Sequence, residues 1–557
     1  MRPGDPPRGE VPPAVSSRDK PELFTVLQTI PQRRQLHAPA LSLAFIALIC
    51  VLTTVSVVHF RVFLINHDVA YFLAQSLRMA GGAKLYIDIV DFNPPMIHFW
   101  GLLPVLVSRF TNLSLIAAFY GFASLALILT LWLCHTILKR IYPAHPAGHN
   151  LVLTLLIAVC VVPLAFEHFG QREHFFFAFF LPYLLAAHAR VAGRELGAGH
   201  LLPAGLILSI GICFKPYFLL PVFAVEIFLL LRLRGAYSAL RPELISASAV
   251  TLIYLGVIWF AYPAYFDCVV LARSLYSGYN ASFHDILFTP PVYCFLAVVL
   301  ILCLVRVPAK EDLYLFLLLA VVMAAFLLMA VIQQKGWQYH YYPLIAMEFF
   351  FAGVFLIRRC GNWRLWKALR LGVEGCVLAA LFGFSIVAET SLLASSSGPS
   401  SGTLMREVLL RAVTKHAGGR SMFVFSTSMF PAWPLVLHSG SSWPYRHPSL
   451  WFLPKIYQGR DGASPDGPIY NPPSKMDHEE KLLFSQVISD LEQHPPALIM
   501  VDKSSHKQGL SGPFNFLEYF SQDEGFSKLL DRYRLVDRFA EFDLFVPGES
   551  LAAGNSR

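Results

Sequence analysis

Asp68 stands just beyond the end of a long apolar run, in Ile65-Asn66-His67-Asp68-Val69-Ala70-Tyr71-Phe72. A carboxylate so close to hydrocarbon is costly unless something uses it. Further polar groups recur at the edges of other apolar runs. Tyr86 to Pro95 brings Asp88 and Asp91 ahead of a Pro-Pro pair. Glu167-His168-Phe169-Gly170-Gln171-Arg172-Glu173-His174 crowds two Glu-His pairs and a guanidinium into one turn. Such a turn can simply be solvated, but few turns need so many ionisable groups. Cys213-Phe214-Lys215-Pro216-Tyr217 leaves an ammonium at a helix break, where it could snorkel or meet a phosphate. Gln333 to Pro343 holds Lys335 and His340 with Trp337 and Tyr339, either an aromatic belt or a cation, proton carrier and stacking surface together. Carboxylates to take a proton, cations to hold a phosphate leaving group and aromatics to bind the transferred group suit transfer from a lipid phosphate. The Glu-His pairs leave a divalent metal ion open as well, with Asp68, Glu173 and His174 as candidate ligands, although their spacing matches no strong ligand motif.

The elements that must position these groups are membrane helices. Of 557 residues, 55% are hydrophobic and 14% charged, with a mean hydropathy of +0.54, against about 25% charge in soluble domains. Apolar windows at about 41–65, 113–138, 150–166, 175–189, 201–214, 217–231, 246–266, 289–305, 313–332, 341–357 and 371–391 predict about eleven spans. Pro94 to Val107 is short and interrupted by Pro104, so it is read as interfacial. The segment after Asp68, with Tyr71, Phe72, Gln75 and Arg78, has the spacing of a short amphipathic helix lying on the membrane. On this topology Lys and Arg concentrate in the segments on the side of the N-terminus, which is therefore expected to be cytoplasmic, with the C-terminus outside. The net charge of +8 is accounted for by that bias and gives no reason to expect nucleic-acid binding. All nine cysteines precede residue 377, so no disulfide is expected in the exported part.

Residues 1–38 read as a disordered cytoplasmic tail and 39–392 as the transmembrane domain, with a first outer loop at 66–112. Ser395 to Gly402 has linker composition, and 403–557 alternates helical and strand patterns as a small extracytoplasmic α/β domain does. A long aromatic stretch inside that domain carries Trp433, Trp443, Tyr445, Trp451 and Phe452, suited to stacking on sugars or anchoring at headgroups.

An acidic residue after the first span, an interfacial helix, and Asn93-Pro94-Pro95-Met96-Ile97-His98-Phe99-Trp100 together resemble the opening of GT-C membrane glycosyltransferases. The nearest branch is that of the lipid A aminoarabinose transferases and protein O-mannosyltransferases. Similar order continues through Glu173, the turn from Gly211 to Lys215 and the stretch from Lys335 to Pro343, so the resemblance covers about 60 to 390. It implies an inverting transfer of a sugar from a polyprenyl-phosphate donor to a glycan, lipid or protein of the cell envelope. The expected setting is a bacterial inner membrane, on its extracytoplasmic face. It makes Asp68 the general base and Glu173 the second acidic residue, with Asp88 and Asp91 as further acceptor-orienting candidates. Lys215 and Lys335 would bind the donor phosphate, helped by Arg172 and His340. Tyr71, Trp337, Tyr339, Trp433 and Trp443 would stack on sugar or acceptor. Two departures stand out: His67-Asp68-Val69 where the family often has Asp-Glu, and Asn93-Pro94-Pro95 where some members have Lys-Pro-Pro, which removes a cation. The rival from another class is a transporter or flippase of a lipid-linked glycan. It would need polar residues through the bilayer, where only Glu226 and Glu348 stand out, and no internal repeat is visible.

Overall fold

The computed structural model describes residues 65–143, 147–304, 310–360, 399–457, 470–505, 507–510, 514–539 and 541–548. The tail 1–38, the window 371–391 and all but the last residue of the window 41–65 lie outside them.

Helix α1 (His67–Ala80) starts where the Asn66 side chain accepts a hydrogen bond from Asp68 N–H. It stops at Gly81, whose N–H closes on the carbonyls of Leu77 and Arg78. Helix α2 (Met96–Phe110) follows the Pro-Pro pair. Helix α3 (Leu115–Ile141) is capped by Ser114 and ends in Lys139 and Arg140, cations at the negative end of its dipole. The bundle continues through α4 (Ala147–Val161), α5 (Arg172–Val191), α6 (Ala198–Phe214), α7 (Leu219–Leu233) and α8 (Pro242–Ala261). Two short helices, α9 (Ala264–Leu275) and α10 (Phe283–Leu287), precede α11 (Pro290–Leu304), α12 (Lys310–Gln333) and α13 (Gln338–Cys360). Every expected apolar window among the described residues carries a helix. Six are long and apolar enough to cross a membrane, and four apolar helices, α2 among them, are shorter.

Helix α5 is the centre of the bundle, 89% buried in its apolar window against 17% for α8, whose outer face (Leu252, Ile253, Phe260) is exposed as a lipid-facing surface would be. Its phenylalanines lock neighbouring helices: Phe176 stacks on Phe218 with ring centroids 4.2 Å apart. Helix α2 packs on α1. Its first turn follows Asn93, and Arg109 in its last turn donates to the carbonyl of Ala80 at 2.9 Å. The first turns of α3 come back to the same end of the bundle, with Phe119 packed against Gly170 ahead of α5. Gly170 has φ +84°, and a Cβ there would meet the Phe119 ring at 2.5 Å.

The C-terminal part is an α/β domain, as its alternating pattern predicts. It contains α14 (Pro399–Ala417), β1 (Met422–Phe425), α15 (Ala432–Ser439), α16 (Leu453–Tyr457), α17 (His478–Gln493), β2 (Leu498–Asp502), α18 (Phe516–Phe520), α19 (Glu524–Leu530), β3 (Tyr533–Arg538) and β4 (Phe542–Pro547). The sheet order is β1-β2-β4-β3, with β1 parallel to β2 and the other pairs antiparallel. Three expectations change. From Pro399 the expected linker is already helical. The aromatic stretch is folded core that contributes α15 and α16. Helix α1 does not have an open face: Asp68 to Ser76 are all buried, and α15 packs on α1 with Trp433 and Tyr71 rings 4.8 Å apart.

Candidate active site

A cavity of about 480 Å³ lies where one end of the helical bundle meets the C-terminal domain. Its bundle side comes from the start of α1, the segment before α2, the turn before α5, residues 276–279 and the start of α13. Its other side comes from residues 427–430, which continue β1, together with Ser449, Trp451 and Gln508. Four of the five polar clusters, far apart in sequence, therefore share one space, the exception being the turn at Lys215.

Asp68 is 9% exposed. Its Oδ1 lies 3.7 Å from His67 Nε2, and its Oδ2 lies 3.8 Å from Arg172 Nη2 and accepts no hydrogen bond from the protein. Arg172, at the first position of α5, is the one Arg or Lys among the described residues that lines the cavity. Its Nη1 donates to Asn93 Oδ1, and the guanidinium sits 4.9 Å above the Phe72 ring. Asp91 also lines the cavity but is fully engaged. Its Oδ2 meets His98 Nε2 at 2.9 Å, and its Oδ1 accepts from Asn93 N–H at 2.9 Å and Asn93 Nδ2 at 2.7 Å. Burial raises the Asp91 pKa, but the hydrogen bond and charge of His98, then the Asn93 donors, outweigh burial and hold it below the usual carboxylate value. Tyr71, Trp337 and Tyr339 line the same space, with Trp337 and Tyr339 centroids 5.7 Å apart.

Other expected site residues lie elsewhere. Lys215 is beneath the floor: its Nζ is 2.5 Å from Glu173 Oε1 and 3.1 Å from Gln333 Oε1, and 5.3 Å from the centroid of the Tyr339 ring. Burial, then the charge of Arg172, lowers its pKa to about 8. His340 Nε2 approaches the same Glu173 oxygen at 3.9 Å. Lys335 is not among the lining residues; its Nζ lies 4.2 Å from the centroid of the Tyr276 ring and donates to Tyr276 O and Asn280 Oδ1, both at 2.7 Å, while burial lowers its pKa to about 8. Asp88 is exposed and accepts from Lys84 N–H inside its own turn. Trp433 and Trp443 are buried in the C-terminal domain, each indole N–H donating to a backbone carbonyl, and neither lines the cavity.

The metal candidates Asp68, Glu173 and His174 are not gathered into a ligand set. His174 Nδ1 accepts from Gly170 N–H and its Nε2 donates to Val161 O, so both nitrogens are occupied, while Glu173 is held by Lys215. Among the described residues no group of three His, Cys, Asp or Glu could hold an ion.

Sequence reasoning missed Asn93 as a ligand of Arg172 and missed residues 427–430, Ser449 and Gln508 altogether. Hydroxyls and an amide in a soluble-looking domain carry no local signal; only the docking of that domain brings them to the cavity.

No protein-family model matches the chain, and no curated protein matches it. Among solved structures it is similar to ArnT from Cupriavidus metallidurans bound to undecaprenyl phosphate (13% identity, TM-score 0.48). The apo form of the same protein gives 13% identity and a TM-score of 0.47; each comparison covers 92% of this chain and 99% of that one.

Proposed function

We propose that this protein is an inverting membrane glycosyltransferase that moves a sugar from a polyprenyl-phosphate donor to a hydroxyl of a cell-envelope glycan, lipid or protein. The observation that carries the reading is the Asp68 carboxylate, with one oxygen unsatisfied, facing the Arg172 guanidinium across 3.8 Å in an aromatic-lined cavity. A buried acceptor oxygen left without a donor is costly, and an incoming hydroxyl would satisfy it. As that hydroxyl attacks the anomeric carbon, its proton passes to Asp68. The bond from that carbon to the phosphate oxygen breaks, and its electron pair leaves with the lipid phosphate, whose growing charge Arg172 stabilises. Aromatic faces at Tyr71, Trp337 and Tyr339 suit a sugar ring. The transporter reading has less support, because Glu226 is tied to Arg241, Tyr237 and Tyr183, and Glu348 is enclosed with neither oxygen hydrogen-bonded.

Asp68→Asn keeps the shape and removes the base. Transfer from a panel of polyprenyl-phosphate sugars should fall by about 10²–10⁴-fold, with binding of the lipid phosphate retained. Near-normal transfer by the purified variant would remove Asp68 from the mechanism.

A further inference from the structure

A guanidinium can serve a phosphate only if it is aimed at it and still carries its charge. Arg172 is aimed from one side by Asn93 Oδ1 and from below by the Phe72 ring, and the chain around Asn93 is held at every point. Pro94 restricts the preceding residue to extended backbone. The Tyr86 hydroxyl donates to the Asn93 carbonyl at 2.6 Å. The Asn93 amide nitrogen is committed to Asp91 Oδ1 at 2.7 Å, so the amide oxygen has one direction left, toward Arg172. Asp91 is itself fixed by the buried His98 at 2.9 Å. His98, Asp91, Asn93 and Arg172 thus form a continuous hydrogen-bonded row, three of them lining the cavity and His98 fully buried behind it.

The types in that row matter as much as their order. Asp91 could have bonded a guanidinium directly, but its oxygens are taken by His98 and Asn93. Asn93 passes on the orientation without passing on the charge, because an amide oxygen accepts from a guanidinium and leaves it cationic. A carboxylate at that position would neutralise Arg172 and repel Asp91. The second approach to Arg172, from Asp68 at 3.8 Å, is too long for a hydrogen bond and leaves that side of the guanidinium toward the cavity.

We propose that Asn93 is a positioning residue that presents Arg172, still charged, to the phosphate of a polyprenyl lipid. This rests on the functional reading above. The test uses full-length protein in nanodiscs and a polyprenyl phosphate bearing no sugar. Asn93→Ala should weaken its binding by about ten- to hundredfold, the range of a lost hydrogen bond to a charged group. The same substitution in an Arg172→Gln background should cost almost nothing, because the cation it positions is gone. Asn93→Ser, which keeps a hydroxyl toward Asp91, supplies the comparison if the alanine variant is poorly folded; its loss should likewise vanish with Arg172→Gln. In transfer, the donor KM should rise while the acceptor KM stays. An equal loss in both backgrounds, or wild-type affinity in the single variants, overturns the assignment. Wild-type protein that does not bind polyprenyl phosphate overturns the functional reading itself, a separate result.

Discussion

At the scale of residues, a buried ion pair lies beneath the floor of the cavity. Lys215 and Glu173 meet at 2.5 Å with 10% and 0% of their side chains exposed, and neither is among the residues that line the cavity above. Removing one member of such a pair leaves the other charge uncompensated, typically at a cost of about 3–5 kcal/mol, whereas replacing both with neutral groups of similar size is often tolerated. Lys215→Met and Glu173→Gln should each lower the unfolding temperature of the purified protein, and the double variant should recover most of the loss. A Lys215→Met variant that weakens lipid-phosphate binding while keeping its stability would instead return Lys215 to the phosphate. The common placement of Asp68, Arg172, Tyr71, Trp337 and Tyr339 was legible because each sits at the edge of an apolar run on one face. The pairing of Lys215 was not, because a motif names a residue type and not the partner that a different helix brings to it.

At the scale of elements, α1 holds Asp68 in place through what lies on top of it. An amphipathic period says that one face is apolar, but cannot say whether lipid or protein covers it, and here α2 packs on one side and α15 on the other. Trp433, fully buried and edge-on to Tyr71 at 4.8 Å, joins α15 to α1. Trp433→Ala should cost about 3–5 kcal/mol as a large-to-small core substitution, and the backbone amides of α1 should exchange hydrogen faster. Unchanged exchange in α1 would show that the helix stands without the C-terminal domain. The helices themselves were legible from their long apolar runs, and the alternating α/β domain from its strand and helix patterns. What escaped was the aromatic stretch, whose tryptophans look equally suited to stacking on sugar and to filling a core; only the packing of Trp443 against Phe423 and Tyr445 decides for the core.

At the scale of the whole molecule, the two ends of the bundle use their basic residues differently. At the cavity end, Arg78 donates to Tyr445 O and Pro444 O, Arg109 to Ala80 O and Lys335 to Tyr276 O, so these cations fasten loops and the C-terminal domain. At the opposite end, Lys139 and Arg140 close α3, and Arg190, Arg232, Arg241 and Arg358 gather where α5, α7, α8 and α13 begin or end. The excess of Lys and Arg at the far end predicts that this end is cytoplasmic. With that orientation the cavity is expected to open on the extracytoplasmic side, where a lipid-linked donor would present its sugar to the envelope acceptors proposed for it. Lys84 and Glu195 are exposed at the two ends and can report this directly. With the native cysteines replaced, including the exposed Cys303, Lys84→Cys should react with a membrane-impermeant maleimide in intact cells. Glu195→Cys should react only after the membrane is permeabilised. The reverse pattern would put Asp68 and Arg172 in the cytoplasm and leave an envelope acceptor out of reach.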